Sequence, residues 1–90
     1  METTDVPVQN PETAARLIDD AMYVLHGETS ELHALNDVGA RIWDLADGSR
    51  SVAEIAETVE AEYEVEADRA LADVLEFLAA LAEKQLVAVK

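Results

Sequence analysis

Ninety residues, half of them hydrophobic, allow one domain with a thin core, and with only four aromatic side chains (Tyr23, Trp43, Tyr63 and Phe77) that core must be Leu, Val, Ile and Ala. Twenty acidic against six basic residues give a formal charge of −14, which argues against nucleic acid or an anionic membrane as partner, because both are bound through clustered Lys and Arg. The six cations here are scattered, and the absence of cysteine removes disulfides, thiolate catalysis and Cys-ligated zinc.

Residues 1–13, METTDVPVQNPET, are polar and carry Pro7 and Pro11, so a flexible N-terminal arm is expected, with a single domain over residues 14–90. The arm lacks the basic, apolar and cleavable parts of a signal peptide, and no apolar run is long enough to span a bilayer, so the cytoplasm is the expected compartment. Ala14–Ile18 is a candidate first strand. Ala21–Leu25 is apolar throughout and rich in strand formers, His26–Ser30 is a turn cluster, and Glu31–Leu35 alternates polar and apolar. That pattern predicts a hairpin with one half-buried strand.

Three helices follow in the pattern. Asn36 or Asp37 offers a side-chain oxygen to the free N–H groups of a first helix, with Val38, Ile42 and Leu45 on one face and Asp47-Gly48 ending it. Ser51-Val-Ala-Glu54 reads as a capping box, since Ser and Glu each satisfy a donor at a helix start. Val52, Ile55, Ala56 and Val59 form the stripe behind it, which Tyr63 extends. A third helix spans about Glu66 to Lys84, with Ala67, Leu71, Val74, Leu75, Leu78 and Leu81 as its apolar stripe. Leu86–Val89 is either a frayed tail or a short last strand. The connecting stretch LADGSRSVAE (Leu45–Glu54) is a helix stop, a turn and a helix start. As a calcium loop it puts Trp43 and Leu45 at ligand positions, and as a carrier-protein attachment site it interposes Gly48 between aspartate and serine.

Phe77 lies off the main stripe of the third helix, near Ala70, Asp73 and Ala80 on the helical wheel. Two readings stand for this set. Small Ala70 and Ala80 leave a trough floored by Phe77, with Asp73 facing a basic group or a backbone N–H, or the face packs against the sheet as core periphery. His26 and His33, near Glu28 and Glu31, read as surface residues of a hairpin and not as metal ligands. Trp43 reads as a partly buried seal between sheet and helix, with a partner contact as the alternative. The acidic run Glu60, Glu62, Glu64, Glu66 and Asp68 reads as a solvated face, with a docking surface for a basic enzyme as the alternative. No nucleophile–base pair and no phosphate loop stands at a recognisable spacing, so neither catalytic residues nor a cofactor is expected.

The ordered set Leu35-Asn36, Gly39-Ala40, Ile42-Trp43, Asp47-Gly48, Arg50-Ser51-Val52, Glu54-Ile55, Tyr63-Glu-Val65, Asp73-Val74, Phe77-Leu78 and Leu81 resembles the PqqD-like family over residues 17–88. These are the precursor-peptide recognition elements of ribosomally synthesised, post-translationally modified peptide pathways. Gln85-Leu86 stands where the family usually has Gly-Leu. The resemblance implies an α+β, winged-helix-like fold, with a small N-terminal antiparallel three-stranded sheet followed by three α-helices. It implies a non-catalytic peptide chaperone whose third strand takes up a leader segment as an added strand, beside the third helix, and presents it to a modifying enzyme such as a radical SAM protein or leader peptidase. The implied peptide site is Glu31, Leu32, His33, Ala34 and Leu35 on the strand with Ala70, Asp73, Phe77 and Ala80 on the helix. The alternatives are a protein–protein adaptor and, behind it, a winged-helix DNA-binding regulator, which the charge opposes.

Overall fold

The computed structural model describes residues 1–90 as β1 (Pro7–Gln9), β2 (Thr13–Ile18), β3 (Ala21–His26), β4 (Leu32–Leu35), α1 (Asp37–Leu45), α2 (Val52–Tyr63), α3 (Ala67–Glu83) and β5 (Val87–Val89). Strands β2, β3 and β4 form an antiparallel sheet in sequence order, and β1 pairs with β5 in a separate two-stranded sheet. The β2–β3 turn is Asp19-Asp20, both at positive φ (50° and 68°), as a two-residue hairpin loop requires and as aspartate tolerates. In the β3–β4 hairpin, the Gly27 N–H donates to the Glu12 carbonyl at 2.9 Å, and a Cβ on Gly27 would lie 2.9 Å from that same oxygen. The crossing therefore needs glycine for its close approach.

The helices start and stop as their side chains dictate. Asn36 caps α1 by accepting from the Gly39 N–H, and Ser51 and Glu54 form the reciprocal box at α2. At the end of α3, the Leu86 N–H donates to the Leu81 carbonyl and the Gln85 N–H to the Ala82 carbonyl, with Gln85 at φ 61°. This is a Schellman stop, with buried Leu86 and Leu81 supplying its apolar contact. Gln85 thereby occupies a left-handed position that glycine would take without strain.

One apolar cluster holds the sheet and the helices together, with Val24 and Leu35 from the sheet, Ile42, Trp43 and Leu45 from α1, Val52, Ile55 and Val59 from α2, and Ala70, Val74, Leu78 and Leu81 from α3. The α3 stripe is thus rotated from the expected one. Ala70 is 1% exposed, while Leu71 and Leu75 are half-buried and Ala67 is exposed. Ala70 instead joins Val74, Leu78 and Leu81 in the core cluster shared with α2. Trp43 is fully buried rather than a partial seal, and its carbonyl accepts from Gln9 Nε2 at 2.7 Å. Tyr63, expected on the α2 stripe, is exposed. Arg41 donates twice to Glu62, at 2.8 Å each, tying α1 to α2 and holding the Glu62 carboxyl below its ordinary range.

The expected flexible arm is instead docked over much of its length. Pro7 is buried, and β1 aligns Pro7 with Val89, Val8 with Ala88 and Gln9 with Val87. The Gln9 N–H donates to the Ala46 carbonyl and the Gly48 N–H to the Pro7 carbonyl. Further back, the Asp5 and Thr3 carbonyls accept from the Val52 and Ala53 N–H groups. Those are the first two donors of α2, which no intrahelical carbonyl can reach. Polar composition concealed this because the arm is held largely through backbone groups, joined by the Gln9 and Asn10 side-chain amides, which donate to the Trp43 and Gln85 carbonyls. Leu86–Val89, left open between tail and strand, resolves as β5 because the arm is its partner.

Two predictions follow from these ends. Gln85→Gly relieves the left-handed position and raises stability by about 1 kcal/mol, read as a higher urea midpoint at unchanged slope. The Glu54 carboxylate accepts from the Ser51 N–H at 2.9 Å. That bond, then the one from the Ser51 side chain, holds it below its ordinary value of 4.5. Its folded-state pKa lies under the unfolded one, so its contribution is complete above the ordinary value and is lost as pH falls through the folded value. Glu54→Gln is therefore destabilising at pH 7, and the difference from wild type shrinks as denaturation is repeated below pH 4.5.

Candidate peptide-binding edge and groove

The β3–β4 register sets the site. The two strands pair Met22 with Leu35, Tyr23 with Ala34, Val24 with His33 and Leu25 with Leu32. Just outside the ladder the His26 N–H donates to the Glu31 carbonyl at 3.1 Å. In an antiparallel ladder, hydrogen-bonded and non-bonded pairs alternate. His33 and Leu35 therefore share the parity of Glu31 and turn their backbone groups towards β3. The N–H and C=O groups of Leu32 and Ala34 point the other way, along the outer side of β4. Strand order β2-β3-β4 leaves that side without a neighbour, and neither proline nor lysine blunts it.

Side chains follow the same parity. Leu35 is buried and His33 half-buried on the core face, whereas Leu32 and Ala34 are exposed on the open face. His33 Nε2 stands 3.6 Å from Glu31 Oε2. His26 corrects the surface reading of the hairpin histidines: it is 1% exposed, its Nδ1 accepts from the Glu28 N–H at 3.1 Å, and its Nε2 has no partner. The fold buries one polar atom here at a cost of about 1–3 kcal/mol. No three acidic or imidazole side chains are gathered closely enough to hold a metal ion.

Beside the free edge runs a chain of surface depressions along α3. One, of about 280 Å³, is lined by Asn36, Val38, Gly39, Ile42, Asp73 and Phe77. The next is lined by Asp73, Glu76, Phe77 and Ala80. Beyond it, Thr29 and Glu31 at the start of β4 face Glu83, Lys84 and Gln85 at the end of α3. Strand and helix thus flank a trough, with the Asn36 end of β4 near Phe77 and its Glu31 end near Lys84. The Phe77 ring is half-buried against α1, and a Cβ on Gly39 would lie 2.9 Å from Phe77 Cζ. Gly39 is therefore the seat that lets the ring approach α1 this closely.

Of the expected site residues, Asp73, Phe77 and Ala80 line this trough, and Glu31 lines its far end. Ala70 does not open onto it, because its side chain is packed in the core, and the same holds for the Leu35 side chain. The floor also contains Val38, Gly39 and Ile42 from α1. Sequence reasoning looked for the trough only on the strand and the third helix. The signal for α1 was Gly39, a small residue in a helix otherwise spaced for burial. Electrostatically the trough is acidic at Glu31, Asp73, Glu76 and Glu83, with Lys84 at one end, and Arg69 stands 3.6 Å from Asp73.

The model of the family described as coenzyme PQQ synthesis protein D (PqqD) matches residues 21–87. Among solved structures, TbiB1 in complex with the TbiA(beta) leader peptide is 34% identical, with a TM-score of 0.81 over 89% of this chain and 93% of that one. A lasso peptide synthetase B1 complexed with its leader peptide is 29% identical, with a TM-score of 0.83 over 92% and 98%. The PqqD truncation of Methylobacterium extorquens PqqCD, described as a functional, stand-alone recognition element for ribosomally synthesised and post-translationally modified peptides, is 26% identical, with a TM-score of 0.81 over 97% and 93%. A comparison with curated proteins returned no match. A free edge strand beside a Phe77-floored trough, on a fold that superposes along nearly its whole length on these recognition elements, places the chain in the PqqD family.

Proposed function

We propose that this chain binds the leader segment of a ribosomally made precursor peptide as an extra strand on β4 and presents it to a modifying enzyme, such as a radical SAM protein or a leader peptidase, without catalysing a reaction itself. The observation that carries the reading is the unpaired outer edge of β4, with the Leu32 and Ala34 backbone groups facing the trough side of α3. Strand addition supplies sequence-independent hydrogen bonds, and pockets reached by alternate peptide side chains supply the choice of peptide. In this reading Glu31, Leu32, His33, Ala34 and Leu35 contribute backbone. Phe77 and Gly39 receive an apolar side chain, and Asp73 faces a polar or basic one beside it. Ala80 keeps the trough open, while Ala70 supports α3 from the core. That two structures similar to this chain are complexes with leader peptides supports a leader as the ligand. A winged-helix regulator that reads DNA would need a cationic face, and a formal charge of −14 does not provide it.

Backbone parity gives the sharpest test. Proline is tolerated on an outward-facing edge position but not where the N–H bonds a neighbouring strand. Ala34→Pro stays folded by circular dichroism and binds leader about tenfold more weakly in calorimetry, as one lost hydrogen bond of about 1.4 kcal/mol requires. His33→Pro disrupts the hairpin itself. Equal leader affinity in wild type and Ala34→Pro sinks the strand-addition reading. Phe77→Ala probes the pocket independently. It lowers leader affinity tenfold or more, while its stability loss stays below the roughly 3–5 kcal/mol of a fully buried Phe. A variant that unfolds instead makes Phe77 a core residue.

A further inference from the structure

Three acidic side chains of α3 stand where they weaken the helix that carries them. Asp73 and Glu76 are three residues apart, where helical side chains are neighbours and like charges repel. Glu83 lies in the last turn, where the helix dipole favours a cation, and no basic residue occupies that turn. Asp73 has one partner, Arg69 at 3.6 Å, and both side chains are exposed. Glu76 and Glu83 have none, since the ion pairs of the molecule join His33 with Glu31, Arg41 with Glu62, Arg50 with Asp47 and Arg69 with Asp73. Local helix chemistry therefore gives no reason for these acids.

All three open onto the trough beside the free edge of β4. Asp73 and Glu76 line one depression with Phe77 and Ala80, and Glu83 lines the next. The apolar part lies one step the other way, where Val38, Ile42 and Phe77 surround Gly39. One turn of α3 advances about 5.4 Å, and two residues of an added strand advance about 6.6 Å, with alternate side chains turned to the same side. Successive helix-facing residues of such a strand thus meet successive depressions: the Phe77 pocket, then Asp73 with Glu76, then Glu83. The cations bordering this path are Arg69, already against Asp73, and Lys84 at its far end.

Resting on the leader-binding reading above, we infer that the trough selects a cationic leader, one with an apolar residue seated on Phe77 and Gly39 and a Lys or Arg two positions along, received by Asp73 and Glu76. Glu76 is the chief specificity-determining residue, because its carboxylate borders the Phe77 pocket and no cation of the chain meets it. Glu83 favours a second cation four positions from the apolar residue, more weakly because Lys84 stands beside it. The same charges turn away an acidic leader, and the formal charge of −14 adds to that repulsion at longer range. The backbone edge takes any extended sequence, and the acidic trough narrows the choice.

The test uses the full chain and a fluorescein-labelled synthetic leader of the precursor peptide encoded beside it, read by fluorescence anisotropy. The leader is compared as encoded and with its Lys and Arg replaced by Gln. The double variant Glu76→Gln/Glu83→Gln, at two exposed positions, is expected to bind the encoded leader about tenfold more weakly than wild type at about 0.1 M NaCl. At about 1 M the gap closes to within about twofold, because the screening length falls from about 10 Å to about 3 Å. The Gln form of the leader binds wild type and the double variant alike. Glu57→Gln/Glu60→Gln on α2 removes the same charge outside the trough and leaves the affinity for the encoded leader within about twofold of wild type. Equal affinity of wild type and Glu76→Gln/Glu83→Gln for a leader that Ala34→Pro weakens overturns the inference and leaves the strand-addition reading standing. So does a loss just as large at high salt, which makes the two carboxylates structural, and so does an encoded leader that binds without any Lys or Arg. A folded wild type that binds no leader overturns the strand-addition reading and this inference with it.

Discussion

The parity of the β3–β4 pairing is the constraint on which the rest of the molecule depends. Once the His26 N–H donates to the Glu31 carbonyl, alternation fixes every later group on β4. Leu35 is committed to the core beside Val24, and Leu32 and Ala34 are committed to the open face with their backbone groups outward. A slip of one residue would bury Ala34, expose Leu35 and turn the free hydrogen-bonding groups onto different residues. The hairpin that sets this register is closely built. Gly27 approaches the Glu12 carbonyl too closely for any side chain, and His26 is buried with its Nε2 unpaired.

An edge strand is ordinarily a liability, and proteins shield it with charge, proline or a covering element. This chain shields its other sheet and leaves β4 bare. The N-terminal segment reaches across to pair with β5 and donates two carbonyls to the start of α2. None of that segment covers the outer edge of β4. What remains beside β4 is a trough whose floor comes from two helices and the junction before them: Phe77 from α3, Gly39 and Ile42 from α1, and Asn36 between β4 and α1. Its apolar part is small, so in the strand-addition reading proposed above backbone pairing would supply most of the binding free energy, with Phe77 and Asp73 left to discriminate between peptides.

The elements themselves were legible in the chain because each is governed by local chemistry. Ser51 and Glu54 satisfy donors three residues apart, Asn36 reaches the Gly39 N–H, and Asp47-Gly48 cannot continue a helix. Likewise Ala21–Leu25 and Glu31–Leu35 had the composition of a hairpin. Phe77 and Asp73 stood out because they lay off the stripe that α3 was expected to bury. The errors share one cause. Ala70 as a groove residue, Trp43 as a partial seal and residues 1–13 as a loose arm each depended on which face meets which partner. Helical periodicity leaves the rotation of a stripe undetermined by a residue or so, and α3 took the rotation that puts Ala70 in the core.

By itself the sequence determined the order of elements, their ends, the absence of a cationic surface and, through an ordered set of small matches from Leu35 to Leu81, the family. Those properties reside in neighbours along the chain or in counts of residue types, and folding does not alter them. The tertiary structure alone decided that β4 is an edge, that its Leu32 and Ala34 backbone groups are the free ones, and that α1 contributes to the trough floor. It also decided that Pro7–Gln9 pair with β5 in a sheet of their own and that a second apolar face lies open across β2–β4. Each of those depends on which segments meet across tens of residues, and a backbone hydrogen bond carries no mark of its distant partner in either side chain.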